Sequence, residues 1–447
     1  GEPIQFRPMQ APSWLTAQLI VSVVTNLLVV HVILITCAYL IYVERKLSAY
    51  IQDRVGPNRT GFDFGLPALK GLKGALGLGQ SLADGLKFIL KEDYTPNRVD
   101  KVLFTLAPGI IIVPALIGFI VIPWGGTWNC PTFTIPVLNW VVEGGPVRVT
   151  GANINIGIVY LLAVASLGVY GVTLGGYASN NKYSFLGGLR ATAQMISYEI
   201  PLGLALLATL LLVGSVQPEA IIRYQAEHGW MIFSQPMAAL LFFIAIMAEA
   251  NRAPFDNAEA EQELVGGYHT EYSAMRFALF FLAEYSHMVT SSAFFALLFL
   301  GGYQLLPWVE DPVTSPFAVG GLGLAVLKFL VFFGKALLLI AFMMVVRWTI
   351  PRLRYDQIMM MAWQMVIPVA LVLVMVVSVL VYLGYTGTIP MLLANVAVAV
   401  LTLLAAPLFK ETSNRKLPLY GSRFSPMPGE RVQTAPTEPQ ALQEMGV

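Results

Sequence analysis

Carboxylic acids concentrated between Glu249 and Tyr272 are the residues of this sequence best suited to carry out chemistry. This acidic loop holds six acids and a single base, Arg252, although only 12% of the whole chain is charged. Carboxylates this close together repel one another, and near lipid they must share protons. The six acids are Glu249, Asp256, Glu259, Glu261, Glu263 and Glu271.

The apolar run before the acidic loop, residues 237–248, sets the depth of the loop. The run is shorter than the ~20 residues that a helix needs to cross ~30 Å of hydrocarbon. A spanning helix must therefore continue through Glu249 and Arg252 towards Pro254. At least part of the loop is then expected at membrane depth, facing protein or water rather than lipid. The alternative is a solvated acidic loop that binds cations or nothing.

Three further acids lie within or at the end of other apolar runs. Glu199 stands two residues before Pro201, which cannot donate a helical hydrogen bond and so leaves a carbonyl oxygen free nearby. Glu284 occupies a similar place in its own run, and Glu44 ends the first run. Each could be a structural, hydrogen-bonded acid, but acids at similar depth in three runs favour a shared hydrated path. His287, one turn after Glu284, receives no assignment.

The composition is that of a polytopic membrane protein. Of the 447 residues 56% are hydrophobic, and the net charge is +1, so neither nucleic acid nor an acidic soluble partner is indicated. Cys37 and Cys130 cannot supply the four thiolates of an ordinary iron–sulfur cluster. The motifs of zinc, P-loop and dinucleotide sites are missing as well. We therefore expect this chain to bind no metal, flavin or iron–sulfur cluster, with any redox centres on other chains.

The apolar runs predict an all-α fold with about nine transmembrane helices in a membrane domain over residues 17–409. Within this domain the segment 66–91 is too polar and glycine-rich to cross, and its alternating leucines and lysines predict an amphipathic helix in the cytoplasmic interface. A plain surface helix with snorkelling lysines is the alternative. The predicted spans are 17–43, 102–123, 156–177, 190–213, 235–254, 274–300, 323–347, 364–385 and 389–409.

The distribution of basic residues predicts the orientation. The segment from Arg45 to Lys101 carries ten lysines or arginines, so the positive-inside rule places it in the cytoplasm. The N-terminal segment 1–16 is then external, and a ninth span returns the tail 410–447 to the cytoplasm. Because this tail is rich in Pro, Ser, Thr, Gln and Glu, we expect it to be largely disordered. The expected location is a bacterial inner membrane.

Five stretches of the sequence resemble signatures of one membrane protein family, the heel or H subunit of proton-pumping NADH:quinone oxidoreductase, respiratory complex I. The first reads Glu-Arg-Lys-Leu-Ser-Ala-Tyr-Ile-Gln-Asp-Arg-Val-Gly-Pro-Asn-Arg, and the third contains Glu-Ala-Asn-Arg-Ala-Pro-Phe-Asp. The resemblance runs in order from about residue 17 to 385, which leaves the ninth span and the tail outside it, and the insert at 127–151 is longer than expected for the family. The five stretches are 44–59, 190–199, 248–263, 282–285 and 347–357.

The resemblance implies a protein that joins the peripheral redox arm to the membrane pumps and encloses part of a quinone chamber. Ubiquinone or menaquinone would be the substrate, and electrons would arrive from an iron–sulfur cluster on another chain. The implied partners are the quinone-module and iron–sulfur subunits of the peripheral arm, small membrane subunits leading to antiporter-like pumps, and membrane lipid. The chamber residues carried over are Arg45, Lys46, Arg54, Asp84, Arg347, Arg352 and Arg354.

The resemblance also implies a proton-conducting chain that leads away from the chamber. Reducing the quinone would create negative charge or take up two protons, which shifts the coupled pKa values of the acids. Conformational gating by the acidic loop is an equal alternative. The proton path comprises Glu44, Glu199, Glu249, Asp256, Glu259, Glu261, Glu263, Glu271 and Glu284, with Arg190 and Arg252 as counter-charges.

Three other functions are compatible with buried acids in a helical membrane protein. A membrane subunit of an energy-converting hydrogenase shares the fold and the acids but has no quinone, and the motif at 52–58 argues against it. A self-contained ion transporter is expected to show inverted repeats with paired broken helices, and no motif occurs twice here. A purely structural anchor would have no need of buried acids.

Overall fold

The computed structural model describes residues 9–10, 12–62, 74, 76–135, 140–257, 266–307 and 314–405. Residues 1–399 form one compact unit, and the described part of the second unit, residues 400–405, is helical. The helices are α1 Ala17–Ile51, α2 Gln80–Leu90, α3 Lys101–Ile117, α4 Gly157–Ala178, α5 Lys182–Val213, α6 Pro218–His228, α7 Met231–Ser234, α8 Pro236–Glu249, α9 Ala274–Phe299, α10 Leu322–Thr349, α11 Tyr355–Met360, α12 Ile367–Tyr382 and α13 Thr388–Ala405.

Helices occur at all nine positions predicted for spans, which confirms the all-α membrane class. Within the described residues, seven helical stretches are long and apolar enough to cross a membrane. The other two are α8, with 14 residues, and α9, whose 26 residues include Arg276, Glu284 and His287. The seven stretches are Ala17–Ile51, Lys101–Val121, Gly157–Ala178, Lys182–Val213, Leu322–Thr349, Tyr355–Tyr382 and Thr388–Ala405.

Side chains and glycine set the ends of several helices. Asn181 accepts a hydrogen bond from the amide of Tyr183 at the start of α5, and Asp100 caps α3 in the same way. At the other end of α5, Gly214 adopts a φ of 70°, the left-handed conformation that glycine tolerates best. The caps at Asp100 and Gly214 agree with the predicted boundaries at 102 and 213, whereas α5 begins at Lys182, eight residues before the predicted 190.

The predicted end of the helix before the acidic loop is also wrong. We expected the helix before the acidic loop to continue through Arg252 towards Pro254, but α8 ends at Glu249. The chain then turns sharply, because Asn251 adopts a left-handed φ of 48°. At about 1.5 Å per residue, α8 is only about 21 Å long. The acidic loop therefore begins while the chain is still buried, since Ala250, Asn251 and Arg252 are all buried.

Short strands supplement the helices in the connection between α3 and α4. Strand β2, Pro123–Cys130, pairs antiparallel with β5, Gly145–Thr150. A smaller sheet joins β1 (Met9–Gln10), β4 (Trp140–Val142) and β3 (Phe133–Ile135) in the order β1-β4-β3. The described part of the 127–151 insert, which is longer than expected for the family, is thus largely a β structure.

Some predictions fall wholly or partly outside the described residues. Of the amphipathic segment, residues 66–73 and 75 are not described, but α2 forms its last part and buries none of its side chains. The tail 410–447 and most of the N-terminal segment 1–16 are outside the described ranges too. The same holds for Glu259, Glu261 and Glu263.

Candidate functional site

Five side chains from four parts of the chain, three buried and two largely so, meet in a central ion cluster. Arg252 lies between two acids, with its Nε 2.6 Å from Glu284 Oε1 and its Nη1 3.5 Å from Glu44 Oε2. Arg347 of α10 forms an ion pair with Glu44, and the hydroxyl of Tyr285 donates to the same carboxylate at 2.6 Å. The Arg252 guanidinium also stacks 4.2 Å from the Tyr285 ring centre. Two acids thus face two arginines in a site with little access to water.

A glutamine holds Arg252 in this position. Gln194 of α5 is fully buried, and its side-chain amide donates to Ala248 O, Asn251 Oδ1 and Phe255 O at 2.9, 3.1 and 2.9 Å. These bonds tie three acceptors in and around the sharp turn after α8 to the side chain of a single residue of α5. The turn then directs Arg252 towards the acids. Gln194 received no role from the sequence alone, although it lies in the second family-like stretch.

A cavity adjoins the central ion cluster between α3, α4, α5, α8 and α9. Its volume is about 60 Å³, measured as the space open to the centre of a water-sized sphere. Because one water requires roughly 15 Å³ by this measure, the cavity can hold about four water molecules. Most of the lining is apolar, and its polar side chains include Glu249, Glu284, His287 and Thr290. Glu284 therefore belongs both to the ion cluster and to the cavity wall.

Asp256 lies in the acidic loop next to the basic loop that follows α10. Burial, and then the nearby Glu284 carboxylate, raise the pKa of Asp256 from 3.8 to about 6, although three arginines act in the opposite direction. The two loops are joined by Asn257, which donates to Leu353 O at 2.7 Å, and by Arg352, which donates to the carbonyl oxygen of Asp256. This part of the acidic loop is therefore fixed by α5 on one side and by the basic loop on the other.

Several residues predicted for the quinone chamber lie together at the end of α1. Arg45 pairs with Asp84 of α2 at 2.7 Å, and the Lys46 ammonium donates to Val55 O at 3.0 Å. Arg45 is 45% exposed, whereas the preceding residue, Glu44, is buried in the ion cluster. Successive residues of α1 thus connect an exposed charged surface with the buried cluster.

Comparison with known proteins identifies the family. The family model for NADH dehydrogenase matches residues 24–378. The NADH-quinone oxidoreductase H subunit 1 of Geobacter sulfurreducens is 43% identical over 366 residues, which cover 81% of this chain and 96% of the relative. The corresponding protein of Leptospira biflexa is 44% identical over 351 residues, 78% of this chain and 91% of the relative. That of Flavobacterium johnsoniae is 40% identical over 363 residues, 81% and 95% of the two chains.

The chain belongs to the family of NADH-quinone oxidoreductase H subunits. With its apolar helices it is a multi-pass membrane protein of bacterial type and a subunit of an oxidoreductase complex. The names of these relatives favour the quinone oxidoreductase over the hydrogenase subunit, the transporter and the anchor that the sequence alone left open.

Two of the acids predicted for the proton path make their contacts away from the central ion cluster. Glu199 accepts a hydrogen bond from Ser166 of α4, so it lies between α4 and α5. Glu271 accepts from Asn181 at 2.6 Å and is tied to the turn before α5. The structure thus brings together Glu44, Glu284 and Arg252 of the family motifs and places Glu199 and Glu271 beyond them.

The remaining predicted arginines differ in their surroundings. Arg347, expected in the chamber, contacts Glu44 in the ion cluster, while Arg354 is 73% exposed and lies 3.6 Å from Asp356. Arg54 donates to Gln52, and Arg190 stacks 5.8 Å from the ring centre of Tyr355. Within the described ranges no group of three or more His, Cys, Asp or Glu side chains is arranged to hold a metal.

Proposed function

We propose that this protein forms part of a quinone chamber and couples quinone reduction to proton translocation through the central ion cluster and the cavity beside it. The observation that carries the proposal is the double position of Glu284, which pairs with Arg252 at 2.6 Å and also lines the cavity. A change of charge on the chamber side can thereby reach a hydrated space inside the membrane domain.

The chamber wall is formed by the exposed charged groups at the end of α1 and on α2. Arg45, Lys46 and Arg54 would attract the charge that develops on a quinone, and Asp84 positions Arg45. Arg352 and Arg354 extend this surface from the basic loop. The quinone is the substrate, and its electrons come from an iron–sulfur cluster on a peripheral-arm subunit.

Electrostatic coupling explains how reduction at the chamber acts on the cluster. A unit charge ~10 Å away contributes about 1.7 kcal/mol at an effective dielectric constant of ~20. Since ~1.4 kcal/mol corresponds to one pKa unit, the charge of a reduced quinone is large enough to redistribute a proton between neighbouring acids. The protonation of Glu44 and Glu284 changes first, because both carboxylates pair with Arg252.

The cavity provides the continuation of the path. Waters within it can connect Glu284 to Glu249, and Glu199 and Glu271 lie further along towards neighbouring membrane subunits. We adopt the orientation that the basic residues predict, with the N-terminus outside. The C-terminal ends of α1 and α10 and the basic loops then lie in the cytoplasm. The partners are the quinone-module subunits on that side and the small membrane subunits that lead to the pumps.

The experiment that tests this proposal compares two buried glutamates. Glu284→Gln removes the ionisable group shared by cluster and cavity and should lower inhibitor-sensitive NADH:quinone turnover about tenfold or more, because proton-transfer groups contribute at least that much. Glu219→Gln is the matched control, since Glu219 is also buried and accepts from a tyrosine, Tyr303, at 2.7 Å.

NADH oxidation by a soluble artificial acceptor reports assembly and should be unchanged in both variants. Equal quinone turnover in the two assembled variants would remove Glu284 from the path and contradict the proposal.

A further inference from the structure

His287 lines the cavity one helical turn after Glu284, and the function proposed above makes no use of it. Its ring Nε2 lies 3.5 Å from Glu249 Oε1, so it bridges α9 and α8. The other ring nitrogen, Nδ1, is buried, and none of the described residues offers it a hydrogen-bond partner. The ring of this cavity-lining residue therefore has one nitrogen on a carboxylate, while the described residues leave the other without a partner.

The charged groups that face His287 come from two helices. Glu249 approaches from α8, and Glu284 lies on α9 itself with Arg252 and Glu44 behind it. The other lining residues of α9 add only neutral hydroxyls, while the described lining residues of α3, α4 and α5 carry no charge. Among the described residues that line the cavity, His287 is thus the only side chain with a titratable nitrogen.

We propose that His287 relays protons between Glu249 and the water of the cavity, and through that water to Glu284. This inference rests on the proposed function of the cluster and the cavity. Imidazole suits the role because its two nitrogens can exchange protons independently near neutral pH.

The relay moves one proton without leaving a charge on the ring. When negative charge near Glu44 attracts a proton, the Glu249 carboxyl gives its proton to Nε2, and the proton on Nδ1 passes to a cavity water. That water passes a proton to the Glu284 carboxylate. Glu249 ends as a carboxylate, Glu284 as a neutral acid and the ring as the other neutral tautomer, and a ring rotation or the reverse transfer restores the starting state.

A purely structural role for His287 makes a different prediction. If the ring only joins α9 to α8, a side chain that keeps a donor to Glu249 should preserve function. His287→Gln keeps an N–H donor but cannot exchange a proton near neutral pH. Ser291→Ala is the matched control, because it alters the polarity of the same cavity from the same helix without removing a titratable group.

The test measures NADH:quinone turnover of the assembled complex in proteoliposomes between about pH 5.5 and 8.5, with artificial-acceptor activity as the measure of assembly. His287→Gln should lower turnover about five- to tenfold, less than a full loss because water alone remains as a slower path, and it should remove the part of the pH profile that depends on the imidazole. Ser291→Ala should keep the parent profile and a rate within about twofold of it.

A parent-like rate and pH profile for His287→Gln would overturn the relay, and His287→Asn provides the same test if the glutamine variant does not assemble. Glu284→Gln, measured in parallel, separates the two proposals. A defect in Glu284→Gln with none in the His287 variants would reject only the relay, whereas normal activity of Glu284→Gln would reject the proposed path itself.

Discussion

Two buried polar clusters at opposite ends of α10 use the same pairing of a tyrosine with a glutamate. In the central ion cluster Tyr285 donates to Glu44 at 2.6 Å, and in the second cluster Tyr303 donates to Glu219 at 2.7 Å. The two sites lie about 28 Å apart along α10, judging by the 19 residues that separate Lys328 from Arg347 at about 1.5 Å each. We call the second site the outer polar cluster. It consists of Glu219, Tyr303, Lys328 and Lys335.

The two clusters differ in what surrounds the shared pairing. In the outer polar cluster the lysines are satisfied by backbone carbonyls, since Lys328 donates to Ala318 O at 2.7 Å and Lys335 to carbonyls of the loop after α9. The space beside Glu219 is only about 10 Å³, room for at most one water. Burial and Glu219 raise the pKa of Tyr303 well above its usual value, so its hydroxyl remains a donor.

Under the proposed function, this difference means that a buried carboxylate alone is not enough for a proton path. The outer polar cluster fixes the loop after α9 to α10, whereas the central ion cluster joins several titratable groups to a space for water. Equivalent substitutions in the two clusters should therefore have different effects.

Replacing the arginine that lies next to a glutamate of each cluster, Arg252 in one and the neighbouring Arg223 in the other, should give the largest difference. Arg252→Met leaves Glu44 and Glu284 without the guanidinium between them, and uncompensated buried charge costs about 3 to 5 kcal/mol unless an acid takes up a proton. Arg223→Met removes a 45% exposed partner 4.0 Å from Glu219 and should cost less than about 1 kcal/mol. Thermal inactivation midpoints of the purified complex measure both effects, and equal shifts would show that the clusters are energetically alike.

The pH dependence of stability should distinguish Asp256 from an exposed acid. Because its pKa is raised from 3.8 to about 6, the folded state disfavours the carboxylate, and stability that is present below about pH 4 is lost as the pH rises to about 6. The roughly two-unit shift corresponds to about 3 kcal/mol. Asp256→Asn should therefore be more stable than the parent at pH 7 and no longer lose stability over this range.

Glu143→Gln, in an exposed position between β4 and β5, serves as the control for that measurement. It should keep the parent's dependence of the thermal midpoint on pH. A parent-like slope in Asp256→Asn would show that Asp256 is not the group that titrates.

The two tyrosine variants should differ little from each other in stability but clearly in function. Tyr285→Phe and Tyr303→Phe each remove one hydroxyl from a buried carboxylate, which costs about 1 to 3 kcal/mol in either place. Only Tyr285→Phe should also slow coupled quinone turnover, because only Glu44 belongs to the proposed path. Equal slowing in both variants would attribute the effect to stability alone.

Apolar runs were sufficient to predict the helices because a spanning helix needs a long unbroken apolar sequence. They could not predict the end of α8, where Asn251 and the three hydrogen bonds from Gln194 determine the turn through contacts between residues distant in sequence. The pairing of β2 with β5 was missed for a similar reason. Residues 123–130 contain proline and two glycines and show no alternation, so their strand depends on its partner.

The candidate site was predictable in its residue types but not in its grouping. Acids within apolar runs indicated Glu44, Glu284 and the acidic loop, and the family resemblance assigned Arg252 as a counter-charge. The resemblance placed Arg347 in the chamber, yet the structure shows it paired with Glu44, because the rotation of α10 decides which way its last turn faces. The cavity and the position of His287 beside it depend on how five helices pack, which no local pattern reveals.

The role of the central ion cluster can be measured directly as the initial rate of NADH-driven proton pumping into vesicles that contain the Glu284→Gln complex, beside vesicles with the Glu219→Gln complex. We expect pumping to fall about tenfold or more in the first and to match the parent in the second. Pumping at the parent rate by an assembled Glu284→Gln complex would contradict the proposed coupling.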